Sequence, residues 1–259
     1  MIERRETSRG DVRLSYLRGG EAGDPVILLH GLAGSAEEMA PTAAALIGRH
    51  RVIALDQRGH GHSTRRPADL SRQAYVDDVV ALIDKPVTLV GQSMGAHTAL
   101  LVAADHPDLV RGLVLLESGV GGATDDYPIR LGAFFASWPV PFADERAAAE
   151  FLGSRSIVGA WIRDLERRAD GLWPRFDPDI MESAIQAVAD TARWDAWARV
   201  AARTLLVRGE HGTVHDGEWR RMLELRPDAE HVVVPDAGHD VHLDRPDAWT
   251  TILRDFLRS

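Results

Sequence analysis

The chain of 259 residues contains no cysteine. That single absence excludes disulfides, thiolate metal sites and cysteine nucleophiles together. No stretch approaches the 18 uninterrupted apolar residues of a membrane-crossing helix, so no membrane partner is expected. No basic run exceeds two residues, Arg65–Arg66 being typical, and 30 Lys+Arg against 39 Asp+Glu leave a net charge of −9. Nucleic acid, whose phosphates call for a concentrated basic face, is therefore excluded as the main partner. The opening residues Met1-Ile2-Glu3-Arg4-Arg5-Glu6 hold no apolar core and no cleavage site, so no secretory signal is expected and a cytoplasmic location is. Internal repeats and low-complexity tracts are missing too. What is abundant is apolar material, 45% of the residues, enough to bury a core and to argue against disorder.

The chain opens on two strand-like runs, Ile2–Thr7 and Val12–Arg18, with Ser8-Arg9-Gly10-Asp11 between them, the pattern of an antiparallel hairpin. Short apolar runs follow at Pro25–Leu29, Arg51–Leu55, Pro86–Val90 and Leu113–Leu116, separated by helical stretches at Ala36–Ile47, Ser71–Ile83 and Met94–His106. Continuous apolar runs alternating with helices imply a mostly parallel sheet buried on both faces. The rhythm resumes with a strand at Thr204–Arg208, a helix at Asp216–Leu225, a strand at His231–Val234 and a closing helix at Asp247–Leu257.

Between residues 118 and 202 no convincing strand is found, and helices are expected around Ala147–Leu152, Ala160–Arg168, Ile180–Ala189 and Trp194–Val200. The division that follows is an α/β core over 1–119 and 203–259 with a helical insertion over 120–202. Five of the seven Trp and five of the six Phe fall between residues 118 and 202. Large aromatics commonly form a core of their own. Their concentration here also fits an apolar binding space, to which Phe134, Trp138 and Trp161 are assigned.

The segment Gly91-Gln92-Ser93-Met94-Gly95 matches G-x-S-x-G between an apolar run and a helix. The flanking glycines suit a tight, strained turn that carries a serine hydroxyl at its tip. Three more blocks accompany it: His30-Gly31-Leu32-Ala33-Gly34-Ser35, Asp56-Gln57-Arg58-Gly59-His60-Gly61-His62-Ser63 and Ala237-Gly238-His239. In this order and spacing, over nearly the whole length, the chain resembles the α/β-hydrolase superfamily. The resemblance implies a central sheet of that type with a cap inserted after the sixth strand.

It also implies roles. A serine hydroxyl needs a base to become a nucleophile at neutral pH. The family's base falls at His239, and His242 on the same loop is the fallback. The oxyanion would be met by backbone N–H groups of Leu32 and Met94. Most relatives keep an acid a few residues beyond the seventh strand, but here that loop reads Gly209-Glu210-His211-Gly212-Thr213-Val214. Glu117, ending the sixth strand, stands at the superfamily's second acid position and takes the assignment, with Glu210 and Asp216 as alternatives. The His60-x-His62 pair lacks a third ligand of a known metal pattern, so both are read as solvated loop residues.

The leading expectation is a serine hydrolase that cleaves a carboxylic ester or lactone of an apolar small molecule through an acyl-enzyme, with no metal or organic cofactor. A serine rather than aspartate nucleophile disfavours dehalogenase and epoxide-hydrolase chemistry. The competing readings are a C–C bond hydrolase or peptidase with the same triad, and a ligand-binding protein without turnover, against which Ser93 and His239 both speak.

Overall fold

Alternation of side chains along the strands sorts the apolar residues onto two faces. The computed structural model describes residues 1–123 and 126–258. Strands β1 (Ile2–Arg9) and β2 (Val12–Gly19) form the antiparallel hairpin, Arg9 facing Val12 across a turn at Gly10, whose φ is +59°. Four parallel strands follow: β3 (Pro25–Leu29), β4 (Arg51–Leu55), β5 (Val87–Gln92) and β6 (Val110–Leu116). The insertion contributes a small separate hairpin, β7 (Glu166–Arg168) and β8 (Gly171–Trp173), before β9 (Arg203–Gly209) and β10 (Glu230–Val234) complete the main sheet. Its eight strands run in the order β1-β2-β4-β3-β5-β6-β9-β10, parallel from β4 onward.

The helices are α1 (Ala40–Leu46), α2 (Arg72–Val80), α3 (Met94–Asp105), α4 (Tyr127–Ala136), α5 (Glu145–Leu152), α6 (Ser156–Asp164), α7 (Pro178–Ala189), α8 (Trp194–Arg199), α9 (Asp216–Leu225), α10 (Val241–Asp244) and α11 (Pro246–Arg258). Ile27, Leu29, Leu89, Leu113 and Leu115 meet α2, α3, α8 and α9 on one face. Val26, Leu28, Val90, Val114 and Val207 meet α1 and α11 on the other. Each such buried side chain contributes about 1.5–3 kcal/mol, so the two layers are held firmly to the sheet. Their loops converge at the carboxyl ends of the strands, where open α/β sheets carry their sites.

The insertion differs from expectation in two respects. The helix expected over Ala160–Arg168 stops at Asp164, and the chain turns into β7. The aromatics also divide into groups. Phe135, Trp138, Phe142 and Phe176 make the insertion's own core, whereas Trp197 joins the main core and donates its Nε1–H to Met222 O at 2.9 Å. Among the described residues no helix is long and apolar enough to cross a membrane.

Candidate active site

The turn after β5 is strained in the way its sequence suggests. Ser93 sits at φ 50° and ψ −116°, a conformation that non-glycine residues avoid. A Cβ on Gly91 would fall 2.4 Å from Gly95 O, and one on Gly95 would fall 2.4 Å from Leu29 O, so both glycines are dictated by backbone contact. The Ser93 N–H donates to Leu116 O at 2.9 Å, which ties the turn to the end of β6.

Immediately beyond, Glu117 also takes a positive φ, 50°, and its carboxylate is buried. Oε1 accepts from Gly209 N at 2.7 Å; Oε2 accepts from Thr213 N at 2.9 Å and faces His239 Nδ1 at 3.3 Å. Thr213 Oγ1 lies between them, 3.0 Å from His239 Nδ1 and 3.3 Å from Glu117 Oε2. With its proton on Nδ1, His239 donates to the carboxylate or to this hydroxyl, which can pass a hydrogen bond on to the same oxygen, and Nε2 is left as an acceptor. Gly212 makes this possible, because a Cβ there would lie 1.9 Å from Glu117 Oε1.

The other acids are engaged elsewhere. Glu210 Oε2 accepts from Asp236 N at 3.1 Å, and Asp216 pairs with Arg208 at 2.7 Å, a bond that lowers its pKa. The fallback base His242 is buried on Glu38, Nε2 to Oε1 at 2.9 Å.

Around the serine, Gly31 permits close approach: a Cβ there would lie 2.1 Å from Gln92 Oε1 and 3.4 Å from Ser93 Cβ. His30 shapes this loop. Its Nε2 accepts from Gln57 N at 3.0 Å, so Nδ1 carries the proton and donates to Gly31 O at 2.7 Å. Met94 is the first residue of α3, so its N–H has no intrahelical acceptor. Leu32 borders the same space. Gln92 Nε2 donates to His239 O at 3.2 Å and fastens the histidine loop to the serine turn.

Two cavities meet at Ser93 and His239. The larger, about 710 Å³, runs past Tyr127, Arg130, Ile185 and Val188. The smaller, about 200 Å³, is walled by Leu32, Leu131, Phe134, Phe135 and Trp161, with Arg155 among its polar residues. Arg155 also donates to Asp240 Oδ2 at 3.1 Å. Phe134 and Trp161 border the smaller cavity. Trp138 does not: it is 4% exposed and packs against Phe135, Trp161 and Phe176 at ring distances of 5.2–5.9 Å. The assignment of Trp138 to the pocket is corrected to a core residue of the insertion.

His60 is corrected as well. It is fully buried beside His30, and burial together with that neighbour pushes its pKa down to about 3, so it is a neutral core residue and not a solvated one. His62 is half-buried. Sequence reasoning missed Thr213, Gln92 and Arg155. A signal for the first was present, since threonine stands in the loop where relatives keep their acid.

The family model for the alpha/beta hydrolase family matches residues 26–251. The sn-1-specific diacylglycerol lipase of Mus musculus is 32% identical, over 94% of this chain and 85% of that protein. The 2-(acetamidomethylene)succinate hydrolase of Mesorhizobium japonicum is 30% identical, over 98% and 94%. A crystal structure of E-2-(acetamidomethylene)succinate hydrolase superposes with a TM-score of 0.91 at 25% identity, covering the whole of both chains. The chain belongs to the alpha/beta hydrolase family, and these relatives are hydrolases.

Proposed function

We propose that this protein is a serine hydrolase that cleaves a carboxylic ester or lactone of a small molecule carrying an apolar group. The observation that carries the proposal is the convergence of strained Ser93, His239 and buried Glu117 at the junction of two cavities. Ser93 Oγ attacks the carbonyl carbon while His239 Nε2 takes its proton. The developing oxyanion is held by the N–H groups of Leu32 and Met94. The C–O bond to the alcohol breaks as His239 returns the proton to it, leaving an acyl group on Ser93. Water, deprotonated by His239, then attacks the acyl carbon and regenerates the serine. Glu117 keeps Nδ1 protonated and stabilises the imidazolium at each stage. Each step uses only these groups and water. Phe134 and Trp161 give the smaller cavity its preference for apolar groups.

A second reading keeps these residues and changes the substrate. One similar sequence and one similar solved structure carry the name of a 2-(acetamidomethylene)succinate hydrolase, and Arg155 on the smaller cavity offers a cation to a carboxylate. A panel of p-nitrophenyl esters of graded chain length, run beside a serine-directed phosphonate label, separates the readings. Ester turnover with label on Ser93 supports the first. Label without ester turnover moves the assignment to the second or to C–C or peptide cleavage. Neither label nor turnover overturns the enzyme reading in favour of a binding protein.

A further inference from the structure

Three basic side chains lie on adjoining segments beside the nucleophile turn, and none of them is bonded to a carboxylate among the described residues. Arg72, the first residue of α2, is 4% exposed. Its Nη2 donates to Thr98 Oγ1 and, at 3.4 Å, to Met94 O, and its guanidinium lies 4.5 Å from the centre of the Tyr75 ring. Its Nε and Nη1 are buried without an acceptor among the described residues. His97, in the first turn of α3, is 1% exposed, and neither ring nitrogen has a partner among them. Arg193, immediately before α8, likewise buries Nε without an acceptor, and its N–H donates to Val120 O at 2.9 Å. The cluster abuts the substrate space through Gly121, which lines the larger cavity and on which a Cβ would lie 2.9 Å from His97 Nε2.

The charge balance here is unlike that elsewhere in the protein. An arginine does not shed its proton in a folded chain, so burying one buries a charge. The other two buried arginines hold carboxylates: Arg58 lies on Asp78 through bonds of 2.6 and 2.7 Å, and Arg226 on Asp228 at 2.7 Å. Tyr75 stacks on Arg72, and burial pushes it up to about 12, so it is neutral at physiological pH and supplies no countercharge. Burial lowers the pKa of Arg72 to about 10. His97 is held well below its ordinary value by burial, then by Arg72 and Arg193. Water can satisfy buried donors but supplies no countercharge, and an uncompensated buried ion is strongly destabilising.

We propose that Arg72, His97 and Arg193 bind a small monovalent inorganic anion of the chloride class. Arg72 Nε and Nη1, Arg193 Nε and one N–H of neutral His97 are its donors. Because Arg72 and Thr98 both donate to Met94 O, the bound anion also steadies the first turn of α3, where the nucleophile turn ends.

The test exchanges the protein into sodium gluconate and titrates it with sodium bromide at constant ionic strength while Tm is followed. Crystals grown in bromide are measured at the bromine absorption edge. A saturable rise on the order of 3 °C is expected. An anomalous peak within hydrogen-bond reach of Arg72, His97 and Arg193 is expected with it. Arg193→Met, at a half-buried position that tolerates an apolar chain, should lose most of that rise while remaining folded. His97→Leu should lose part of it. An equal rise in Arg193→Met, bromide peaks confined to the exposed surface, or only ordered water at these nitrogens would overturn the proposal.

Discussion

Nδ1 of His239 lies 3.3 Å from Oε2 of Glu117, a buried carboxylate that stands 122 positions earlier in the chain. The loop after β9 delivers Thr213 to the same carboxylate, so three separate segments converge on one hydrogen-bond centre. The carboxylate that faces His239 therefore stands at the end of β6 and not in the loop after β9.

Glu117→Gln should lower kcat by up to about 10⁴-fold, because an amide cannot stabilise the imidazolium and can favour the wrong tautomer. Glu210→Gln should stay near wild type. The comparison is a pair of initial-rate assays, with circular dichroism to show that both variants fold. A dead Glu210→Gln beside an active Glu117→Gln would return the acid to the loop after β9.

Thr213→Val removes the hydroxyl between His239 and Glu117 and retains the shape of the side chain. A hydrogen bond to a charged group contributes about 1.5–3 kcal/mol, so kcat should fall by roughly 10–100-fold with little change in KM. Equal losses in kcat and substrate affinity would mean that Thr213 touches substrate instead.

The aromatic residues should separate by role. Phe134→Ala and Trp161→Ala should raise KM for bulky esters several-fold, and Phe134→Ala, at an exposed position, should leave stability nearly unchanged. Trp138→Ala should leave KM for small esters alone and cost about 3–5 kcal/mol of stability, since it empties a packed site. Urea denaturation and KM measured on the same three variants decide it.

Asp164 gives a pH-dependent prediction. Burial, and secondarily the carboxylate of Asp56, pushes its pKa up to about 7. The folded state then holds a proton that the unfolded chain releases near pH 4, so this residue's contribution to stability falls as pH rises from about 4 to about 7. Asp164→Asn fixes the neutral form. Its Tm should match wild type near pH 4 and exceed it increasingly up to about pH 7.5, with a constant difference above. A difference that shrinks with rising pH would contradict the buried-acid assignment.

The parts of this arrangement that depend on chain order were legible before the fold was known. Gly91–Gly95 between a strand and a helix announces the serine turn, and Glu117 directly after an apolar run must lie at the carboxyl edge of a parallel sheet. What depends on packing was not. Phe134 and Trp138 are four residues apart at one end of the insertion, yet Phe134 borders the cavity and Trp138 is enclosed by Phe135, Trp161 and Phe176. Only the position of α4 against α7 and the β7–β8 hairpin decides between them. His60 looks solvent-facing because glycines flank it, but the turn between Gly59 and Gly61 folds it inward against His30. Thr213 gains its role only when the loops after β6, β9 and β10 meet.

The most direct test is the rate of p-nitrophenyl ester cleavage by Ser93→Ala. The hydroxyl lies at the tip of the strained turn, so the variant should fold like wild type while kcat falls by about 10⁴-fold or more. A folded variant that keeps more than about a tenth of the wild-type rate would contradict Ser93 as the nucleophile, and with it the acyl-enzyme mechanism.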